Sequence, residues 1–256
     1  MGLHPKVQRR LIDVIRDISK IDKKQFIITS HSSTVLDSVS PKSRIFIEKT
    51  YASEYKSINN ISVSAALTKM DAKSFPLVDL YCEDKVAEKI ISRGIKHCAK
   101  INNIQKVDEL INIIPLGTAD KVYNFFKCHA ETYPNKKIRS GYACVLDGDM
   151  KFKENGEIRY PEHQNLHFIY SNESPEKFLT RFYLSSHPNT AIQYYLNNEN
   201  NHYFFQAIIN NSEFTDKDEV FDYCWNLFRD SSEGENYLHE LSNFIMQVYE
   251  QFSQEL

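Results

Sequence analysis

The sequence predicts an α/β fold in which a largely parallel sheet is flanked by helices, and three observations carry that prediction. From Pro76 to Ser171, short apolar runs alternate with longer stretches whose apolar residues recur every three or four positions. The runs are nearly unbroken, as in "LVDLYC" and "YACVL", the pattern of strands covered on both faces. From Ser174 onward only helical spacing remains, with Phe221, Trp225 and Phe228 and then Leu238, Leu241, Phe244, Ile245 and Val248. With 256 residues, 41% of them hydrophobic and 25% charged, the chain is long enough for one large core or two modest domains.

Leu11, Val14, Ile15 and Ile18 behind Pro5 predict an N-terminal helix. Residues 26–29 form a strand candidate, and residues 30–33 offer hydroxyls to cap a short helix after it. Residues 44–49 and 61–65 read as two strands joined by a polar loop, in the manner of a hairpin. Residues 68–75 have the composition of a linker. The alternating region then runs strand 77–82, helix 83–100, strand 111–116, helix 118–133, strand 142–148 and strand 165–171. Ser174 and Pro175 stand in helix-start positions. The expected domains are 1–70, 76–185 and a helical extension, 186–256.

A formal charge of −3 excludes a global field that attracts nucleic acid, so any such contact uses local patches. Three exist, at residues 20–24, at 135–139, and at Lys151 and Lys153. Five scattered cysteines, odd in number and without a CxxC, argue for reduced thiols in a cytoplasmic protein, against a disulfide framework or zinc site. Cys82 and Cys144 fall in predicted strands and read as core filler. No apolar run approaches the roughly 18 residues of a membrane span, and no signal-peptide core is visible, so no membrane partner is expected.

The stretch "GYACVLDGDMKF" ends a buried strand with Asp147 and Asp149, one residue apart and therefore on one side of the chain. By itself the pair fits an acidic loop as well as a cation site. Glu83 and Asp84 end the first strand of the same region, and Glu83 alone fits a helix N-terminal acid as well as a ligand. In an open parallel sheet the strand C-termini share one edge, where ligands collect. Several carboxylates gathered there need a cation, and hard oxygen donors select Mg²⁺ or Mn²⁺. Such an ion suits phosphodiester chemistry, with Lys151 and Lys153 beside it to neutralise a phosphate backbone.

A strand ending in Glu, a helix, a strand ending near Gly ("IIPLGTADKV"), a helix and a strand ending in DxD resemble the Toprim fold of topoisomerases, primases and certain nucleases, over residues 76–171. Upstream, "LHPKVQRRLIDVI" and "FIITSHSSTVLDSV" resemble the end of an ABC-type ATPase domain. Together the two are similar to the OLD (overcoming lysogenization defect) family, which includes Gabija-type and retron-associated antiphage nucleases. The resemblance implies a metal-dependent DNA endonuclease with Glu83, Asp147 and Asp149 as catalytic metal ligands and Glu83 assisting proton transfer. It makes His31 the switch histidine that senses the ATP γ-phosphate. "ESPEKFL" matches a Pro-Glu of the family, so Glu176 completes a second metal site or is a first-turn helix acid. Where relatives carry Gly and a further acid, this chain has Asp84 and Ala87, so Asp84 or Glu88 substitutes or the second site is weakened. Lys177 and Lys217 are candidates for the family's late basic residue.

No GxxxxGK[ST] loop occurs, so ATP use is expected only in a longer protein, and Met1-Gly2 standing in place of an acidic strand end points to a chain cut from one. The resemblance also implies a homo-oligomer and a defence-system partner protein or RNA. Two other readings compete. "VLDGDM" fits the nucleophile strand of a haloacid-dehalogenase-type phosphatase, which leaves Glu83 unexplained; a non-catalytic Toprim-like scaffold for oligomerisation or partner binding fits the Ala87 departure.

Overall fold

The computed structural model describes residues 3–49, 54–70, 76–104, 107–136, 140–198 and 203–254. Residues 71–75 of the expected linker and residues 137–139 of the second basic patch lie outside the described residues, while residues 68–70 of that linker are instead the last residues of a helix that buries Thr68 and Lys69.

Helix α1 (Pro5–Asp22) starts at Pro5, where His4 Nδ1 accepts from the Lys6 amide, and stops at Lys23 in a left-handed conformation. It buries Ile12 and leaves Val7, Leu11, Val14 and Ile18 exposed along one stripe. Residues 26–29 are not a strand. Phe26, Ile27 and Ile28 are exposed, and among the described residues no strand pairs with this segment to take its ladder hydrogen bonds. Helix α2 (Ser33–Asp37) follows, and then β1 (Ile45–Lys49) pairs antiparallel with β2 (Tyr55–Asn59).

The hairpin is as expected in kind, but its second strand is the polar stretch before Ile61, not residues 61–65. Ile61 instead bridges to Gln254, Ser62 Oγ accepts from the Ala65 amide, and helix α3 (Val63–Met70) begins there, burying Ala65 and Ala66. Ser62 N donates to Ser253 O at 2.9 Å, tying the start of α3 to the far end of the chain.

The main sheet holds β3 (Val78–Cys82), β4 (Ile111–Pro115), β5 (Gly141–Leu146) and β6 (Leu166–Phe168), all parallel, in the order β4-β3-β5-β6. Helix α4 (Lys85–Ile101) and the short α5 (Val107–Leu110) connect β3 to β4, and α6 (Ala119–Thr132) connects β4 back across β3 to β5. Reversing direction with right-handed crossovers puts α4 and α6 on opposite faces. Strand alternation follows: Leu80, Cys82, Ala143 and Val145 join the core that holds α4, while Tyr81, Cys144 and Leu146 pack with Val122 and Phe126 of α6.

Beyond the sheet lie α7 (Pro175–Ser186), α8 (Thr190–Asn198), α9 (Phe204–Asn210), α10 (Lys217–Arg229) and α11 (Ser232–Ser253). Helix α11 returns across α4, β3 and β5, so the C-terminal helices complete the cover of the sheet. Among the described residues no helix is long and apolar enough to cross a membrane.

Two buried charges organise the N-terminal elements, and one of them reaches this body. The Arg44 guanidinium donates to Leu36 O and Val39 O at 2.9 Å and to Ile61 O at 3.4 Å. Lys69 Nζ meets Glu48 Oε1 at 2.7 Å and stands over the Tyr249 ring of α11. Lys69→Met should cost about 3–5 kcal/mol in urea unfolding, because it strands a buried carboxylate, whereas Lys69→Met with Glu48→Leu should recover most of that loss. Additive losses in the double variant would show that the pair does not act as a unit.

Candidate functional site

Because β3 and β5 are hydrogen-bonded neighbours, their ends arrive side by side, and the residues just past them meet. The Asp147 amide donates to Glu83 Oε1 at 2.9 Å, and the Ala119 amide at the start of α6 also faces the Glu83 carboxylate. Two glycines make the close approach possible. Gly117, at φ +107°, donates its amide to Glu83 O at 2.8 Å. At Gly148 a Cβ would lie 2.2 Å from Ser171 O and 2.8 Å from Ile169 O, so the turn after β5 passes the end of β6 only without a side chain.

Around this pair the other acids take different positions. Asp84 is the N-cap of α4, its Oδ1 accepting from the Val86 and Ala87 amides at 2.9 Å each. Glu88 pairs with Lys85 at the surface. Asp149 sits exposed in the single helical turn after Asp147. Glu176, in the first turn of α7, is buried, and its charge acts on Asp147.

Asp147 is only 6% exposed, and its Oδ1 is buried with no hydrogen-bond partner among the described residues. Burial pushes its carboxyl well above the usual carboxylate range, and the charges of Glu83, Asp84, Asp149 and Glu176 push it further. Glu83 is raised too, first by burial and then by Asp149 and Asp84, with the Asp147 amide partly offsetting the rise. The ionised pair therefore calls for a positive charge.

Among the described residues no three His, Cys, Asp or Glu side chains lie close enough together to hold a metal ion. Glu83 and Asp147 do meet, the Glu83 carboxylate accepting from the Asp147 amide. Mg²⁺ is held by one or two carboxylates with water and substrate oxygens completing its shell, so the Glu83–Asp147 pair fits such an ion and does not fit a closed protein cage.

The remaining predicted residues divide. His31 is exposed and its Nδ1 contacts Met70 Sδ, not the acids. Lys151 is exposed over the Phe152 ring, whereas Lys153 is paired with Glu157 at 3.1 Å. Of the two late lysines, Lys177 pairs with Glu173 at 3.4 Å, while Lys217 lines a cleft of about 440 Å³ together with Asp84, Glu176, Lys89 and Phe221. The sequence reading placed Phe221 in an apolar core stripe, where it is buried, and missed Lys89. Lys89 bonds Asp218, 129 positions away, and no local spacing signals a pair at that separation.

The fold and these carboxylates define an α/β protein with a desolvated acidic pair at the C-terminal edge of a parallel sheet. Residues 1–37 match a family model described as "AAA domain, putative AbiEii toxin, Type IV TA system", which marks the first segment as similar to part of an ATPase domain. No curated protein and no solved structure matches the chain. The matched segment is the one whose helix α1 presents the exposed apolar stripe.

A raised carboxyl holds its proton in the folded chain at a pH where the unfolded chain has released it, so metal-free stability should fall as pH climbs from about 4 toward neutral. Asp147→Asn should flatten that slope and raise stability at neutral pH by at least about 1 kcal/mol, read by chemical unfolding without divalent metal. An unchanged slope would remove Asp147 as its source.

Proposed function

We propose that this chain is a divalent-metal-dependent DNA endonuclease module, a Toprim-like nuclease of the OLD type attached to an ATPase-like segment. The observation that carries the reading is the meeting of Glu83 and Asp147 at adjacent strand ends, both desolvated, with Asp149, Asp84 and Glu176 acting on the same charge. Glu83 and Asp147 would hold Mg²⁺ or Mn²⁺, with Asp149 as a further carboxylate and Asp84 and Glu176 bordering the adjoining cleft. Bound there, the ion would neutralise charge developing on a phosphoryl oxygen and lower the pKa of its water.

The chain's own residues supply the rest. Glu83, less buried than Asp147, is the carboxylate suited to exchange a proton with solvent. Lys217 offers an ammonium to the cleft, and Lys151 offers one beside the turn that carries Asp149, so both suit phosphate oxygens. Lys153, engaged with Glu157, contributes less. The family match over residues 1–37 supports an ATPase-like partner function for the first segment, with His31 as its nucleotide sensor. ATP would act only in a protein that supplies a phosphate loop. The exposed stripe of α1 supports association with another protein surface, in a homo-oligomer or with a defence-system partner. The antiphage role, and RNA as an alternative partner, rest on the resemblance alone.

A second reading, a non-catalytic scaffold, is favoured by the lack of any three-residue metal-holding group among the described residues. The phosphatase reading loses ground because Asp147, its required nucleophile, is buried.

Supercoiled plasmid incubated with the chain in Mg²⁺ and in Mn²⁺ should be nicked, and Glu83→Ala and Asp147→Ala should each lower the rate by at least about 100-fold. No cleavage with either metal, together with no metal-induced rise in Tm, would favour the scaffold. Lys151→Ala should weaken DNA binding evenly across sequences and reduce the log–log salt slope by about 1, measured by fluorescence anisotropy.

A further inference from the structure

Beneath α11, away from the cleft, a row of buried polar atoms leads inward from the carboxylate pair. In the β5–β6 ladder Val145 lies opposite His167, so Ala143, Val145 and Asp147 share a face with Asn165 and His167. That face is the one α11 covers. Asn165 is fully buried, and neither its Oδ1 nor its Nδ2 has a hydrogen-bond partner among the described residues; the same holds for His167 Nε2 and Asp147 Oδ1.

Four such atoms on three neighbouring side chains do not arise from packing alone, since buried polar groups in folded proteins almost always find a protein or water partner. Each could instead have faced a donor or acceptor on α11, but α11 presents rings there. Phe244 stacks on His167 at 5.0 Å between ring centroids and Tyr237 at 6.2 Å, both nearly parallel to it. The Tyr237 hydroxyl is itself buried, near the Tyr170 amide and within reach of the Asp147 charge. At the solvent edge beyond Asn165, Gln247 Nε2 donates to Gln164 O at 3.0 Å.

The spacing suits water. Residues two apart on a strand are about 6.6 Å apart, and one water making two hydrogen bonds spans about 5–6 Å. Buried waters occupy such polar, sealed positions and bond two to four groups each. Burial and Lys151 hold the His167 imidazole neutral, with a pKa pushed down to about 4, so one ring nitrogen donates and the other accepts.

We propose that Asn165, His167, Tyr237 and Asp147 Oδ1 enclose a file of ordered water beneath α11, and that His167 acts through it as a positioning residue for Asp147. The positioning role rests on the metal-site reading above; the water file does not. Held from behind, Asp147 keeps one oxygen fixed toward the interior and turns the other toward Glu83, as outer-shell hydrogen bonds orient a carboxylate ligand.

The test uses the full chain with Mn²⁺ alone as the probe. Tm is followed against Mn²⁺ concentration for the natural chain, for His167→Phe, which keeps the ring stack and removes the nitrogens, and for His167→Gln, which restores a polar group. The expected result is a half-maximal Mn²⁺ concentration raised about 10-fold or more by His167→Phe and largely restored by His167→Gln, with metal-free Tm little changed. A His167→Phe midpoint within twofold of the natural chain would overturn the positioning role. If the natural chain shows no Mn²⁺ response, the metal-site reading fails and the positioning role falls with it. The file is then judged by a high-resolution crystal structure of the metal-free chain: ordered waters bonded to Asn165 and His167 sustain it, and a dry seam overturns it.

Discussion

The site turns on one contact: the half-buried Glu83 carboxylate accepts from the backbone amide of Asp147, whose own carboxyl group is buried. That contact exists because β3 occupies the centre of the parallel sheet with β5 beside it, so that the first and third strands of the region end at a common point. Helices α4 and α11 on one face and α6 on the other keep solvent from the strands that lead to it. A like-charged desolvated pair opposes folding, and proteins retain such arrangements where chemistry needs them. That is the physical basis for proposing a metal-dependent function at this edge.

Identical chemical groups within a few residues have different fates here, and the surroundings decide each one. Asp84 spends an oxygen on two amides of α4 and becomes a helix cap. Glu88 finds Lys85 in solvent, an arrangement of small energetic consequence. Asp147 Oδ1 finds no hydrogen-bond partner among the described residues. Burial likewise separates the thiols: Cys82 and Cys144 have their pKa values raised by it and stay inert, in keeping with a filling role.

The N-terminal elements join the sheet body through apolar packing of Ile61, Ala65 and Ala66 in the common core and through a buried ion pair that reaches α11. Arg44 gathers three carbonyls within the N-terminal elements, and the Lys69–Glu48 pair reaches Tyr249 of α11, the helix that covers the sheet. Helix α1 meanwhile leaves its apolar stripe in solvent.

Much of the fold was legible because its signals are local. Unbroken apolar runs and three-to-four spacing are properties of adjacent residues, so the parallel strands 77–82, 111–116 and 142–148 and their helices could be read directly, as could the acids at their ends. The reading failed where an element depends on a distant neighbour. Phe26 to Thr29 had strand composition but no strand to pair with, and Ile61 found Gln254 instead of a hairpin partner. Sequence alone determined which carboxylates stand at strand ends, since that follows from period and position. Only the tertiary structure decided that Glu83 and Asp147 touch, that Asp84 is a cap, that Lys217 and not Lys177 lines the cleft, and that His167 lies opposite Val145 on the face that α11 covers. Those outcomes depend on strand order and on α7, α10 and α11 closing over the sheet, and long-range packing of that kind leaves no period in the chain.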